Sequence, residues 1–292
     1  MILSTNTSYL SRKFGHEKAI EMLAKAGFDA YDMSFFDNVN PETNGFFSDN
    51  YREYAKSLRE FADKVGIVCN QAHAPFGSSF GEEEKDKKRF DEIVRSMECA
   101  AILGAEAIVV HPCQHLTYEE DGNPELLREI NMDFYKRLIP YAEKFGIKIA
   151  CENMWQWSDR FSKVMPSTCA NAEEFVDYVD DVGSEWLVAC LDIGHTVLVG
   201  ERNERMIHML GKERLKALHV HDVDGHSDLH TLPYLSKIDW NSTMGALRDI
   251  GYDGDFTFEA GTFLVKMPDE LLPAALRFMC ETGRHLISLI EK

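Results

Sequence analysis

Six residues of the types that bind divalent cations or move protons close short apolar runs spread over nearly two hundred positions: His73, His111, Glu152, Asp192, His219 and Glu259. Three more, His195, Asp228 and His230, follow in the adjoining segments. The last four of the six, Glu152, Asp192, His219 and Glu259, offer three carboxylates and one imidazole. An oxygen-rich set with a single nitrogen suits Mn²⁺ first, with Mg²⁺, Co²⁺ or Zn²⁺ as alternatives. Three carboxylates gathered in one place repel one another, and the residues that follow them supply few cations beyond Arg160 and Lys266. A bound metal is the simplest compensation. Taken singly, a polar residue at the end of an apolar run needs no such role, because it can bond exposed backbone groups; it is the set of six that calls for chemistry.

Such residues can meet only if one architecture brings the run ends together. The chain repeats a unit in which an amphipathic stretch leads to a glycine and then to a short apolar run with a polar end: Lys25 to Asp32, Lys64 to Asn70, Leu103 to His111 and Lys144 to Glu152. The glycine fits the left-handed position that closes a helix, and the run fits a parallel strand buried on both faces. Carried along the chain, the pattern predicts eight strands near 2–5, 28–34, 67–72, 106–111, 147–152, 187–192, 216–221 and 255–260. It predicts helices near 16–26, 51–65, 83–103, 124–145, 171–181, 203–212, 239–250 and 268–290. Eightfold alternation points to an α/β fold of the (β/α)8 barrel type, one domain over 1–292, whose strand C-termini converge on a single mouth. No glycine-rich nucleotide fingerprint follows any strand, so no dinucleotide cofactor is expected.

Composition sets the bounds. Of 292 residues, 45% are apolar and 27% charged, the balance of a globular chain. The longest apolar runs are strand-sized, far below the roughly 20 residues that cross a bilayer. Met1 to Gly15 has no basic segment leading into an apolar stretch, so a cytoplasmic protein is expected. The seven cysteines, at 69, 99, 113, 151, 169, 190 and 280, include no C-x-x-C pair and read as buried free thiols. A formal charge of −18 disfavours nucleic acid as a partner, because phosphate backbones are gripped by Lys and Arg.

The segments Ala72-His-Ala-Pro75, Val110-His-Pro112, Cys151-Glu-Asn153, Leu191-Asp-Ile-Gly-His195, His219-Val-His-Asp222 and Phe258-Glu-Ala-Gly261 resemble the xylose isomerase-like superfamily of barrels, which includes sugar isomerases, epimerases and endonuclease IV. The resemblance implies that Glu152, Asp192, His219 and Glu259 are the metal ligands, with His219 preferred to His221 because it lies three residues before Asp222. Likeness to ketose 3-epimerases implies that Glu152 and Glu259 face each other across the substrate, one removing a proton beside a carbonyl and the other returning it through an enediolate. His73, His111, His195 and His230 then bind substrate hydroxyls or shuttle protons. Trp155 and Trp157 offer faces on which a sugar ring stacks, or else belong to the core or to a homo-oligomer interface. The segment after Glu152 holds no lysine for the hydride shift of true xylose isomerases, and Gly261, Thr262 and Lys266 make only a faint phosphate cradle.

The expected activity is a divalent-metal-dependent sugar isomerase or epimerase acting on a small sugar or keto-sugar. Two alternatives share its residues. A lyase on a keto-sugar or keto-inositol uses the same enolate to expel an oxygen. An endonuclease IV-like zinc phosphodiesterase uses all nine residues, Asp228 included, to hold three zinc ions; the charge of −18 and the segment Asp222 to His230 weigh against it.

Overall fold

The computed structural model describes residues 1–36, 39–116 and 122–292. Among them, ten strands are formed: β1 Leu3–Thr5, β2 Ala30–Ser34, β3 Val68–His73, β4 Ala107–Val109, β5 Lys148–Glu152, β6 Trp155–Ser158, β7 Lys163–Pro166, β8 Leu187–Asp192, β9 Leu215–His219 and β10 Phe256–Phe258. Six of them pair in parallel in the order β2-β3-β4-β5-β8-β9, and β1 pairs in parallel with β10. Parallel bridges between Asn6 and Asp32 and between Val220 and Phe258 join these two sheets at both edges, closing an eight-stranded ring. All eight expected barrel strands are present, within two or three residues of the predicted bounds.

The helices follow for local reasons. Gly104 and Gly146 adopt φ of 98° and 69° directly after helices Glu83–Leu103 and Pro124–Phe145, a conformation that costs any residue with a Cβ. Helix Tyr51–Val65 turns Ala55, Leu58 and Ala62 inward. Burying a side chain such as Leu58 contributes about 2 kcal/mol. The expected helices are found, the last beginning later, at Leu272–Ile290, after a short turn. Helices Ser8–Phe14, Ile193–Leu198 and Thr262–Val265 and the antiparallel hairpin β6–β7 are additions that the sequence reading did not foresee. They sit in strand-to-helix connections, where the apolar periodicity is too short to register.

The inside of the ring is narrow and mostly small. Ala107, Val109, Ala150, Val188, Cys190 and Ala217 form a core cluster of their own, apart from the larger core between sheet and helices. On the remaining strands, Ser4 Oγ donates to Thr257 Oγ1 at 2.8 Å. Side chains alternate along a strand, so the residue two places on points the same way. Two places beyond Ser4, Ala30, Gln71, Val109, Ala150, Cys190, Ala217 and Thr257 stand Asn6, Asp32, His73, His111, Glu152, Asp192, His219 and Glu259. Every barrel strand thus contributes one polar residue to a ring resting on a floor of small side chains. Two register shifts help to set this parity. Tyr31 pairs with Cys69 but Asp32 with Gln71, and Ala189 with Leu215 but Cys190 with Ala217. Bulges of this kind re-aim side chains beside functional sites.

Candidate active site

Glu152 is the hub of the ring. Its Oε1 lies 2.8 Å from His219 Nδ1 and its Oε2 2.9 Å from His111 Nε2. Glu259 Oε2 stands 3.4 Å from His219 Nδ1, and Asp192 Oδ2 stands 4.0 Å from the same nitrogen. Glu152, Asp192, His219 and Glu259 each present one ligand atom, all within 4.8 Å of one another. The structure therefore brings the four predicted ligands together. His73 and His111 flank them, with the His73 ring stacked on His219 at 4.4 Å and on His111 at 5.4 Å between centroids.

A second group adjoins the first. His195, His221, Asp228 and His230 also place their ligand atoms within 4.8 Å of one another. Asp192 links the groups: His221 Nε2 is 3.0 Å from both of its carboxylate oxygens, and its Oδ1 accepts from the His195 backbone N–H at 2.6 Å, capping helix Ile193–Leu198. Asn153 clamps Asp192 by accepting from its N–H at 2.7 Å and donating to its carbonyl at 3.0 Å. The loop carrying Asp228 and His230 is organised by buried Asp222, whose carboxylate accepts from the N–H groups of Val223 and Ile238 and from Trp240 Nε1. His230, at φ 42°, is held by Asp228 Oδ2 at 2.9 Å and by the Glu259 carbonyl at 2.8 Å.

Charge is the dominant feature of the site. Burial alone would raise the Glu152 carboxyl, yet the His219 and His111 imidazoles outweigh it and hold the group well below the usual carboxylate range. Burial is likewise outweighed at Asp228 by His195 and His230, which keep it low. Burial would depress His195, His219 and His230, but their neighbours raise all three: Asp192 and Asp228 at His195, Cys190 with Glu152 and Glu259 at His219, and Asp228 with Glu259 at His230, which rises to about 9. Only at His111 does burial prevail, lowering the imidazole despite Glu152. The carboxylates thus draw protons onto histidines, marking an excess of negative charge that a divalent cation would neutralise. Several buried atoms of the site have no hydrogen-bond partner, among them His73 Nε2, His111 Nδ1, His221 Nδ1, Asp32 Oδ1 and Asp228 Oδ1. A hard cation with mixed oxygen and nitrogen ligands fits this donor set.

The site opens into a cavity of about 390 Å³ walled by Phe36, Phe76 and Trp155, into which His111, Glu152, His195, Asp228, His230 and Glu259 face. Trp155 takes the place expected for a stacking face, its Nε1 donating to Asp228 Oδ2 at 3.2 Å. Trp157 does not line the cavity. It is 54% exposed, because β6 carries it about 7 Å further from the mouth. The sequence reading missed Asn6, Asp32 and Gln71, whose strand ends look unremarkable, and the part His221 plays in the second group. The alternation of residues along each strand is the signal that finds them. A larger hollow, about 640 Å³, lies outside the ring between helices Glu83–Leu103 and Pro124–Phe145 and contains none of the ring residues.

The profile of the xylose isomerase-like TIM barrel family matches residues 20–282. The chain belongs to that family. An uncharacterised protein of Methanocaldococcus jannaschii is 29% identical over 246 residues, covering 82% of this chain and 78% of its own. Fructoselysine 3-epimerase of Escherichia coli O157:H7 is 24% identical over 204 residues, 70% of each chain. Among solved structures, the IolI protein with a bound zinc atom superposes with a TM-score of 0.73 at 18% identity, over 99% of this chain and 98% of its own. Among the described residues, no helix is long and apolar enough to cross a membrane.

Proposed function

We propose that this protein is a divalent-metal-dependent sugar isomerase or epimerase that moves a proton next to a carbonyl. One observation carries the reading: two carboxylates, Glu152 and Glu259, share a donor group with Asp192 and His219 and also line a cavity walled by aromatic rings. The fructoselysine 3-epimerase relative and the zinc held by the IolI neighbour support it. Glu152, Asp192, His219 and Glu259 would hold the metal, Mn²⁺ being the first choice. Bound there, a metal supplies the Lewis acidity that makes a hydrogen beside a carbonyl removable and disperses the charge of an enediolate.

The chain's own groups do the rest. Glu152 and Glu259 each present a carboxylate to the cavity, one taking the proton and the other delivering it. Asp192, clamped by Asn153 and His221, acts as a fixed anion rather than a base. His111, His195 and His230 reach the cavity as partners for hydroxyls, and Trp155, Phe36 and Phe76 cover the apolar face of a sugar. No Lys or Arg lines the cavity among the described residues, and residues 37, 38 and 117–121 contain none. A phosphate arm would find no guanidinium or ammonium partner there, which favours an unphosphorylated sugar.

The decisive test is solvent deuterium uptake by a panel of free ketoses and keto-sugars, read by NMR. Uptake with epimerised or isomerised product supports the reading, whereas uptake with loss of water or of a glycosidic group assigns the lyase outcome of the same enolate. Two further sets of donor atoms beside the first, His73 with His111 and Glu152 and His195 with His221, Asp228 and His230, favour a second reading, the three-zinc phosphodiesterase. Cleavage of abasic DNA without exchange on any sugar would establish that one instead.

A further inference from the structure

Trp155 and Gln156 open β6, and with Gln114 they form the cavity wall on the side of the β6–β7 hairpin. The hydrogen-bonding capacity of this wall is only half used. Gln114 stands three residues beyond His111, and its Nε2 donates to the Trp155 carbonyl and to Ser167 Oγ, both at 3.1 Å. A carbonyl can only accept, so the atom facing Trp155 must be the NH₂ and the amide cannot be reversed. One hydrogen thus goes to the start of the hairpin and the other to the residue just past its end. What Gln114 has left is Oε1, to which no group among the described residues donates.

Gln156 is the reverse case. Its side chain makes no hydrogen bond among the described residues, and its Nε2 is buried without a partner. The carboxylates of Glu152, Asp228 and Glu259 face the same cavity, and their negative charge favours the NH₂ end of the amide inward. The Trp155 Nε1 hydrogen is already spent on Asp228, so the indole offers only its ring face. The wall therefore has one free amide acceptor and one free amide donor. A phosphate or carboxylate calls for donors alone and an ammonium for acceptors alone; a hydroxyl gives one hydrogen and accepts another. We propose that Gln114 and Gln156 are substrate-binding residues for hydroxyls on the part of the sugar that lies against the hairpin, Gln114 Oε1 accepting and Gln156 Nε2 donating. This rests on the function proposed above and narrows its substrate to a neutral sugar whose hydroxyls on that side are free. A sugar lacking them leaves buried polar groups of the wall unpaired, which is how such a site rejects it.

The test is a cycle between protein and sugar. Gln156→Leu removes the donor and breaks no bond of the fold. The ketose of the panel that the wild type exchanges fastest is compared with its deoxy analogues, each lacking one hydroxyl away from the exchanging carbon. At one position the missing hydroxyl should raise the wild-type KM roughly 3–10-fold, the worth of one neutral hydrogen bond, and should cost Gln156→Leu nothing further. The variant should show the same rise in KM with the parent ketose, and its kcat should stay within about twofold, because a bond made equally to bound substrate and transition state alters KM alone. Gln114→Met should show the same pattern; should it unfold by cutting its bonds to the hairpin, the Gln156→Leu cycle decides the proposal. An unchanged KM in Gln156→Leu, or deoxy penalties that add to the variant's own at every position, overturns it. If the wild type exchanges no ketose, the proposed function fails, and the subsite is read by calorimetry with D-fructose. Binding at least threefold weaker in Gln156→Leu then supports the subsite, and equal binding, or none to the wild type, overturns it.

Discussion

Asn153 and Asp192, on neighbouring strands and 39 positions apart, are bound by a pair of hydrogen bonds from one side-chain amide to both backbone groups of the other residue. The Asp192 backbone is therefore fixed independently of its carboxylate, and a change confined to the carboxylate reports on charge alone. Asn is as good a helix cap as Asp, so Asp192→Asn keeps helix Ile193–Leu198 capped. This variant should stay folded and bind Mn²⁺ at least tenfold more weakly. Titration calorimetry that finds equal affinity would show that Asp192 is not a ligand.

Replacing either carboxylate of the proposed pair, as Glu152→Gln or Glu259→Gln, should abolish exchange of the substrate proton with solvent. Circular dichroism should remain native. Retained exchange in both variants would exclude these residues as the proton carriers.

The outer histidines separate one metal from three. His111→Ala should lower turnover while metal content stays near one per chain, since His111 is proposed to meet substrate. About three zinc ions in protein purified without added metal, with one lost in this variant, would move the assignment to the phosphodiesterase.

Gly194 bears on the second group without belonging to it. A Cβ built there would come within 2.2 Å of the His221 ring. Gly194→Ala must push His221 away from Asp192 and from His230, on which it stacks at 4.1 Å. A loss of about 1–3 kcal/mol in a urea titration is expected, together with weaker metal binding. Wild-type values for both would mean that this packing carries no weight.

Acid sensitivity has a source away from the site. Burial lowers the imidazole of His16, which bonds Tyr54 Oη at 2.8 Å, from 6.5 to about 4. The unfolded chain takes up that proton first, so stability is complete above about pH 6.5 and declines as pH falls towards 4. The full span is worth up to about 3 kcal/mol before discounting for water at the ring. The difference in unfolding free energy between wild type and His16→Gln should change over this window and be flat above it; a constant difference would show that His16 does not titrate there.

Much of this architecture is legible in the residues because its two periods differ so plainly. Val188 to Asp192 is a continuous buried run that only a strand covered on both faces requires, and Glu83 to Leu103 repeats its apolar positions as a helix does. The four proposed ligands are legible for the same reason, each being the last polar residue of such a run. Asp32 is harder to see. It ends a similar run, but its place in the ring comes from a register shift at Tyr31, which leaves no mark in composition. Trp157 is the converse case: an aromatic near the site attracts a functional reading, while the hairpin carries it outside the cavity lining and leaves it 54% exposed. Gly194, read only as part of a motif, owes its place to the histidine ring beside it.

The closure of the ring has a mechanical consequence. Strands β1 and β10 pair with each other over three residues, yet each meets the neighbouring sheet through one bridge, at Asn6–Asp32 and at Val220–Phe258, with two backbone hydrogen bonds at each seam: Asp29 N–H to Leu3 O and Thr7 N–H to Asp32 O on one side, Val220 N–H to Thr257 O and Glu259 N–H to Val220 O on the other. Backbone amides along these two lines have fewer bonds to break before water reaches them than those between β2 and β9. The barrel is thus a six-stranded sheet latched by a two-stranded tongue, and amide hydrogen exchange is expected to be faster along the two seams than between β2 and β9. One side of that latch is Asp32, so the strand end whose carboxylate meets His73 Nδ1 also forms a seam of the wall.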